Sequence, residues 1–233
     1  MSTVAIIVAA GNSRRMGFDK LTAPLAGLPV LAHSLLAFQN CQKVDHIIVV
    51  AADSRTEEFH TLAEQHGIDK LNTVVKGGAE RCESVSNGIQ TALKKIAGAK
   101  TILVHDGARP LIKDEAICQC INGAEKYGAA SLAQRVSDTL KRTDESAIVT
   151  DSVERENLWR METPQAFAAD LIAQASRAAT HDSVIVTDEV SAVQRFDPSQ
   201  AIHLIENESA NPKITLADDL PLAEALIKNR SRP

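Results

Sequence analysis

Aromatic side chains are scarce in this chain of 233 residues, which has one Trp, one Tyr and an aromatic content of 3%. Single-stranded nucleic acids are held largely by stacking of bases on aromatic rings, so the scarcity argues against such partners. A formal net charge of −5 also argues against a general nucleic-acid surface, which is normally basic. We therefore expect no nucleic-acid partner.

Long apolar runs are also missing. No run in the sequence approaches the roughly 20 residues that a membrane-spanning helix needs. The N-terminus lacks the basic and hydrophobic pattern of a secretory signal. The sequence therefore predicts no membrane interaction and a cytoplasmic location.

Cysteine is rare, with only Cys41, Cys82, Cys118 and Cys120 and no Cys-x-x-Cys pair. A disulfide framework is not expected in a cytosolic chain of this size. Cys118 and Cys120 lie two residues apart on a predicted helix, so they face different directions and make a poor zinc site. We interpret the four cysteines as packing residues.

The composition that remains is that of a globular protein, with 44% hydrophobic and 24% charged residues. The length fits one large α/β domain or two small ones. Because no internal repeat or low-complexity linker interrupts the chain, we predict a single domain over residues 1–233.

Apolar periodicity predicts strands and helices in alternation. The predicted strands are residues 4–8, 46–51, 73–75, 101–105, 129–133 and 202–205. The predicted helices are residues 28–38, 54–64, 81–96, 114–126 and, as an amphipathic helix, 217–227. Ser54 and Glu57 form a capping-box pattern, and Thr187 is the predicted N-cap of a short further helix. This alternation predicts an α/β fold with a doubly wound, mostly parallel sheet.

Three loops follow strands at the edge where such sheets bind ligands, namely residues 9–20, 77–84 and 105–110. Each loop combines glycine with charged residues. In the first loop, small residues leave backbone N–H groups open to an anion, and Arg14, Arg15 and Lys20 add positive charge. The loop has neither a Walker A nor a dinucleotide glycine pattern. The three loops together favour a nucleotide pocket over an ordinary basic surface turn.

Arg15 and Lys20 suit a reaction that builds negative charge on an α-phosphate, because fixed cations stabilise that transition state more than the ground state. Asp106, at the end of a buried strand, is able to hold Mg²⁺ or a ribose hydroxyl. A turn or cap carboxylate is the competing interpretation of Asp106. We interpret His105 as structural.

A second basic set, accompanied by hydroxyl side chains, suits a phosphate monoester on a sugar-like alcohol. Any one of these residues alone is more often a solvated surface residue. The set consists of Arg109, Lys141, Arg155 and Lys213 with Thr139, Thr163 and Thr187.

Residues 136–160 predict an arm built on a β-hairpin, with strands at 138–142 and 147–149 around a polar turn. A protruding arm would expose Leu140, Ile148, Val149 and Trp159. Such side chains need a partner surface, which points to a homodimer. The alternative is a hairpin that folds back on its own sheet.

Several blocks of the sequence resemble those of the 2-C-methyl-D-erythritol 4-phosphate cytidylyltransferase family. The first blocks are Ala9-Ala10-Gly11 with Arg15-Met16 and Lys20, Gly77-Gly78 with Arg81 and Ser84-Val85, and His105-Asp106 with Ala108-Arg109-Pro110. The later blocks are Asp138-Thr139, Leu158-Trp159, Thr163-Pro164-Gln165, Thr187-Asp188-Glu189 and Lys213-Ile214-Thr215. The first block is shared by many sugar-phosphate nucleotidylyltransferases, whereas the later blocks are specific to this family and its closest relatives.

The resemblance, which runs over nearly the whole chain, implies a Rossmann-like nucleotidyltransferase fold. It also implies a reaction in which CTP and methylerythritol phosphate give 4-diphosphocytidyl-2-C-methyl-D-erythritol and pyrophosphate, with Mg²⁺. The reaction belongs to the non-mevalonate route to isoprenoid precursors. The family is dimeric, and the arm residue that matches Arg155 reaches the site of the opposite subunit.

The resemblance also implies roles for individual residues. Arg15 and Lys20 match the pair that stabilises the α-phosphate, and Lys213, which we also count as catalytic, matches the methylerythritol phosphate site. The nucleotide site would be formed by Ala9, Ala10, Gly11, Gly78, Arg81, Ser84 and Asp106. The acceptor site would be formed by Arg109, Thr139, Arg155, Thr163 and Thr187.

Two positions depart from the family pattern. Ala79 stands where many members have Asp, which removes a side-chain contact to the base, and Gly107 replaces an Ala. The nearest alternative function is a cytidylyltransferase for ribitol 5-phosphate or another polyol phosphate. A nucleotide-binding regulatory module without turnover predicts loss of Arg15 and Lys20, which are present. An NAD-dependent reductase is disfavoured by the missing glycine pattern.

Overall fold

The computed structural model describes residues 2–11, 17–181 and 186–230. The strands are β1 (Ser2–Ala9), β2 (Pro24–Leu25), β3 (Leu28–Pro29), β4 (His46–Ala51), β5 (Leu71–Lys76), β6 (Ala99–Asp106), β7 (Ala129–Arg135), β8 (Leu140–Thr143), β9 (Val149–Val153), β10 (Trp159–Ala168) and β11 (His203–Glu206). The helices are α1 (Val30–Asn40), α2 (Thr56–Gln65), α3 (Arg81–Lys95), α4 (Asp114–Tyr127), α5 (Ala169–His181), α6 (Glu189–Phe196) and α7 (Asp219–Arg230).

Seven of the described strands form one sheet in the order β11-β7-β10-β6-β1-β4-β5. Strands β6, β1, β4 and β5 are mutually parallel, and β11 is parallel to β7. Within this described sheet β10 alone runs antiparallel to its neighbours, β6 and β7. The prediction of a doubly wound, mostly parallel sheet is confirmed, although neither β10 nor α5 is among the predicted elements.

Strand β1 lies near the middle of the sheet and divides the core. Its alternate side chains, such as those of Ile6 and Ile7, enter two separate apolar clusters because successive residues of a strand face opposite sides. Helices α1, α2 and α4 cover one side of the sheet, and α3, α5 and α6 cover the other. On the second side α3 approaches β1 closely: a Cβ on Gly88 would lie 2.7 Å from Cγ2 of Ile6.

Several predicted helix starts are wrong. Residues Asp53–Arg55 form a 3-10 turn ahead of α2, so the N-cap of α2 is Arg55 and no side-chain capping bond forms there. The N-cap of α6 is Asp188, whose Oδ1 accepts from Ser191 N at 2.9 Å, rather than Thr187. A carboxylate at position 188 points at the helix end, whereas the Thr187 hydroxyl bonds the Ser191 hydroxyl.

The C-terminal helix begins two residues later than predicted. Helix α7 begins at Asp219, whose Oδ2 accepts from Leu216 N at 2.8 Å. Ala223 is its buried side chain, while Leu222 is exposed. The helix therefore lies on the surface of the sheet domain, and Ala223, with the partly buried Leu220, Leu226 and Ile227, packs against the core.

The predicted hairpin forms, with slightly shifted bounds. Strands β8 and β9 pair with each other in a two-stranded sheet of their own, so in the described chain the hairpin does not fold back on the main sheet. Ile148 and Val149 are exposed to 64% and 59%, and Leu140 is exposed as well. The predicted exposure of Trp159 is wrong: it is half-buried on β10, with the Arg135 guanidinium carbon 4.3 Å from its ring.

No helix in the described ranges has the length and apolar character that crossing a membrane requires.

Candidate active site

A pocket of about 710 Å³ lies at the carboxyl ends of the parallel strands. The loops that follow β1, β5 and β6 meet there, because parallel strands end at one edge of a sheet. A fourth segment, which precedes α7, completes the wall. The lining residues are Val8, Ala9, Ala10, Gly11, Lys20, Leu21, Gly78, Ala79, Glu80, Arg81, Ser84, Asp106, Ala108, Lys213 and Thr215.

The loop after β1 supplies Lys20 to this pocket. Its ammonium group donates to the carbonyl of Ile214 at 2.9 Å, which ties the loop to the segment that carries Lys213. Arg14 and Arg15, the other cations predicted for this loop, lie outside the described residues.

The loop after β5 is closed by its own side chains. Gly78 N donates to Ser84 Oγ at 3.0 Å, and Ala79 N donates to Glu83 Oε2 at 2.8 Å. A Cβ on Gly78 would lie 2.3 Å from the Cβ of Glu83, so only glycine fits this turn. The turn thus presents the start of α3, and with it Arg81, to the pocket.

Asp106 is the centre of a group of three cations. Its Oδ2 lies 2.9 Å from Lys213 Nζ and 3.5 Å from Arg109 Nε, and its Oδ1 lies 3.8 Å from Arg81 Nη2. Burial opposes ionisation, but Lys213, Arg81 and Arg109 outweigh it and hold the pKa of Asp106 well below its ordinary range. Asp106 is therefore an ionised, largely buried carboxylate that fixes the three cations around it.

Thr163 and His105 support Asp106 from behind. Asp106 N donates to Thr163 Oγ1 at 3.1 Å, and the same hydroxyl bonds His105 Nδ1 at 3.0 Å. The His105 ring is buried, packs against Phe38 and bonds the carbonyl of Arg109 at 3.2 Å. Burial lowers the pKa of His105 to about 4, so it is neutral at pH 7. Its surroundings are those of a structural residue.

Glu189 belongs to the Thr187-Asp188-Glu189 block, but its sequence context predicts no specific role for it. Glu189 is buried at the start of α6 and forms two hydrogen bonds with the Arg81 guanidinium. Gln165 Oε1 accepts from the backbone of Glu189 and Val190, both at 3.1 Å. The acidic residue directly after a helix cap was the only indication in the sequence that Glu189 has a role. Its partner, Arg81, lies 108 residues away, so no local sequence pattern predicts the pair.

The structure separates the predicted site residues into two groups. Those that line the pocket are Ala9, Ala10, Gly11, Lys20, Gly78, Arg81, Ser84, Asp106 and Lys213, with Arg109 and Thr163 in direct contact with Asp106. Thr139, Arg155 and Thr187 are exposed and do not line it. Arg155 donates instead to the carbonyl of Ser137 at the base of the arm.

Comparison with known proteins gives the same family throughout. The model of the 2-C-methyl-D-erythritol 4-phosphate cytidylyltransferase family matches residues 3–229. The cytidylyltransferase of that name from Bacillus velezensis is 40% identical over an alignment of 233 positions, which covers 99% of this chain and 98% of the relative. The enzyme of that name from Pelotomaculum thermopropionicum is 38% identical, over 97% of this chain and 94% of the relative.

Solved structures agree with the sequence comparisons. The 4-diphosphocytidyl-2C-methyl-D-erythritol synthase of Anaerococcus prevotii superposes with a TM-score of 0.85 at 27% identity, over 97% of this chain and 96% of that one. The 2-C-methyl-D-erythritol 4-phosphate cytidylyltransferase of Francisella tularensis superposes with a TM-score of 0.79 at 27% identity, over 97% and 100%. This chain, an enzyme of the nucleotidyltransferase class, belongs to the 2-C-methyl-D-erythritol 4-phosphate cytidylyltransferase family.

Proposed function

We propose that the pocket at the ends of β1, β5 and β6 is where CMP passes from CTP to 2-C-methyl-D-erythritol 4-phosphate, with release of pyrophosphate. The observation that carries this proposal is the convergence of Lys20, Arg81 and Lys213 with Asp106 on one pocket. Its volume of about 710 Å³ lies within the usual range of small-ligand sites.

The proposed step is an in-line displacement at the α-phosphorus of CTP. A phosphate oxygen of the methylerythritol phosphate forms the new P–O bond while the bond to pyrophosphate breaks. Negative charge grows on the oxygens of the α-phosphate, and fixed cations stabilise that charge. We assign this work to Lys20, Lys213 and Arg15.

The nucleotide half would rest on the first two loops. Ala9, Ala10, Gly11, Gly78 and Ser84 offer small side chains and backbone groups for the ribose and cytosine. Arg81, held by Glu189, would keep the second loop in place. With Ala79 in place of an acidic side chain, recognition of the base falls to backbone groups.

Asp106 fits a role in holding Mg²⁺. It offers ionised carboxylate oxygens at the pocket wall, and Mg²⁺ typically uses one or two carboxylates together with substrate phosphates. We propose that Asp106 and the phosphates of CTP would hold it. When bound, Mg²⁺ supplies neutralisation of the triphosphate charge.

The acceptor site is proposed to need two subunits. Arg109 and Thr163 lie beside Asp106, but Thr139 and Arg155 lie on the arm, away from the pocket of their own chain. We propose a homodimer in which the arm, residues 136–160, brings Arg155 of the partner subunit to the acceptor phosphate. Thr187 would face the acceptor from the start of α6.

The single domain over 1–233 and the cytoplasmic location stay predictions.

The alternative function, a cytidylyltransferase for ribitol 5-phosphate or another polyol phosphate, differs from the proposed one only in its acceptor substrate. The family match and the named relatives favour methylerythritol phosphate over ribitol 5-phosphate. Pyrophosphate release should be measured with CTP and Mg²⁺, with each acceptor in turn. We expect release with methylerythritol 4-phosphate and background with ribitol 5-phosphate. Pyrophosphate release with ribitol 5-phosphate alone would make the protein a ribitol 5-phosphate cytidylyltransferase. No release with either acceptor, in a protein that binds CTP, would indicate a nucleotide-binding module without turnover.

A further inference from the structure

Two thiols and a carboxylate meet on the face of the sheet that α1 and α4 cover. Cys41 is the C-cap residue that follows α1, and its Sγ lies 3.6 Å from Cys118 Sγ on α4. Cys118 Sγ lies 3.6 Å from Asp114 Oδ1, one helical turn earlier. The three donor atoms all lie within 4.8 Å of one another. Cys120 points elsewhere and donates to the Pro164 carbonyl.

These distances match those of a tetrahedral zinc centre. Two Zn–S bonds of about 2.3 Å at a tetrahedral angle place the sulfurs about 3.75 Å apart. One such bond and a Zn–O bond of about 2.0 Å place sulfur and oxygen about 3.5 Å apart. Both observed separations, 3.6 Å, lie within about 0.2 Å of these values. Two of the three ligand separations therefore already suit a small cation, and the third lies within 4.8 Å.

The burial of the three residues gives a path for the cation. Asp114 is exposed, Cys118 is half-buried and Cys41 is buried, so a hydrated ion meets the carboxylate first and the deeper thiol last. Thiolates select soft or borderline metals, whereas Mg²⁺ takes oxygen ligands. This preference separates the cluster from the oxygen chemistry of Asp106 in the active-site pocket.

We propose that Cys41, Asp114 and Cys118 form a binding site for a thiophilic divalent cation of the Zn²⁺ class, with water as the fourth ligand. The two thiols, which hydrogen-bond to each other and to Asp114 without metal, each lose a proton as the two M–S bonds form. No oxidant or reductant is needed, and the charge of the cation balances the two protons released. The three residues lie outside the pocket proposed for the reaction.

The cation would connect two elements that support the active-site loop after β6. On α1, Ser34 Oγ donates to the Gly107 carbonyl at 2.9 Å, and Phe38 packs against His105. Helix α4 begins where the same loop ends. A cross-link between α1 and α4 therefore stabilises the folded chain, because the metal binds the native arrangement and not the unfolded one.

Cobalt titration tests the site, because tetrahedral Co²⁺ with thiolate ligands has a sulfur-to-cobalt charge-transfer band that an all-oxygen site lacks, and its d–d bands are much more intense than those of octahedral Co²⁺. The full chain, reduced with a phosphine and freed of metal by chelation, should take up one Co²⁺ per chain and release it to Zn²⁺. Cys41→Ser and Cys118→Ser should each abolish the bands, and Asp114→Asn should weaken binding by about tenfold or more. Cys82→Ser and Cys120→Ser are matched controls that should leave the bands unchanged.

A second measurement protects the test against misfolded variants. Zn²⁺ should raise the unfolding temperature of the wild type and of Cys82→Ser but not of Cys118→Ser, whose side chain is only half-buried. Bands that persist in both cluster variants would overturn the proposal, as would their absence from the reduced wild type. The mass of the chain purified without reductant gives a further outcome. If that chain is lighter by two hydrogens, and the reduced chain takes up no Co²⁺, the thiols serve as a disulfide pair instead.

Discussion

Arg81 and Glu189 are joined by two hydrogen bonds, from Nη1 to Oε1 at 2.6 Å and from Nη2 to Oε2 at 2.9 Å. The pair connects the first residue of α3 with the first residue of α6. Arg81 also lies 3.8 Å from Asp106, so Glu189 competes with Asp106 for the same guanidinium. The pair thus fixes how far Arg81 reaches into the pocket.

Glu189→Gln should destabilise the fold. Burial raises the pKa of Glu189, although Arg81 opposes this, so the carboxylate depends on its partner. Removing one member of a largely buried ion pair leaves the other charge without compensation, and we expect the free energy of unfolding to fall by about 3 kcal/mol. Urea unfolding measures this. Glu64→Gln, at an exposed position on α2, should change stability by under about 0.5 kcal/mol. Equal values for the two variants would contradict a supporting role for the pair.

Asp106→Asn should change the acid dependence of stability. The folded-state pKa of Asp106 lies below its ordinary value of 3.8, so its contribution is fully present above that value and is lost as pH falls below it. The difference in unfolding free energy between wild type and Asp106→Asn should be largest above about pH 5 and shrink below about pH 4. Denaturant unfolding across this range measures it, with Asp53→Asn, in an exposed ion pair with Lys76, as the control. A difference independent of pH would contradict the argument.

Lys20→Met tests the proposed stabilisation of the α-phosphate. Loss of one fixed charge aimed at a developing oxyanion should lower kcat by about 10²- to 10³-fold while the KM for CTP changes only modestly. Initial rates of pyrophosphate release measure both constants. Lys228→Met, which removes an exposed ammonium group on α7, is the control and should leave them unchanged. Because Lys20 also bonds the Ile214 carbonyl, unfolding of the variant must be followed as well. Near-normal turnover of the variant would show that Lys20 does not stabilise the α-phosphate in the transition state.

Local sequence patterns were sufficient for the parallel half of the fold. The β-branched runs in β1 and β4 and the glycines after β1, β5 and β6 place the strands and the pocket edge directly. Strand β10 escapes such patterns because its residues include Arg160, Glu162 and Gln165, of which the last two are buried by distant partners. This segment is a strand because it pairs with β6 and β7, and the local pattern of apolar residues does not predict that pairing.

The same limit applies to side-chain clusters. Cys41 and Cys118 are 77 residues apart, so the spacing of Cys118 and Cys120 on one helix gave no indication of the actual neighbour. The Thr187 N-cap prediction failed by one residue, because two adjacent residues both carry capping side chains. In both cases the deciding fact is the direction of a side chain in the folded protein.

The arm offers a test of the proposed dimer. Ile148→Asp combined with Val149→Asp places two charges on its exposed apolar tip, and a buried charge without a partner is strongly unfavourable. We expect the double variant to sediment as a monomer while the sheet domain keeps its circular dichroism. Leu222→Asp places a charge at an exposed apolar position on α7, outside the arm, and should remain dimeric. A wild-type chain that sediments as a monomer would contradict the proposed dimer.

Mixed subunits test whether the sites are shared. Lys20→Ala and Arg155→Ala homodimers should each be nearly inactive, because each lacks a proposed site residue. If Arg155 acts in the partner's site, a heterodimer of the two variants holds one site with both residues intact and one with neither. An isolated heterodimer should then recover about half the activity of the wild-type dimer. If Arg155 serves its own subunit, both sites keep one lesion and activity stays at the level of the parents. Subunits with different tags can be purified as heterodimers and assayed for pyrophosphate release. The assay separates these outcomes because activity recovers only if the arm of one subunit contributes Arg155 to the site of the other.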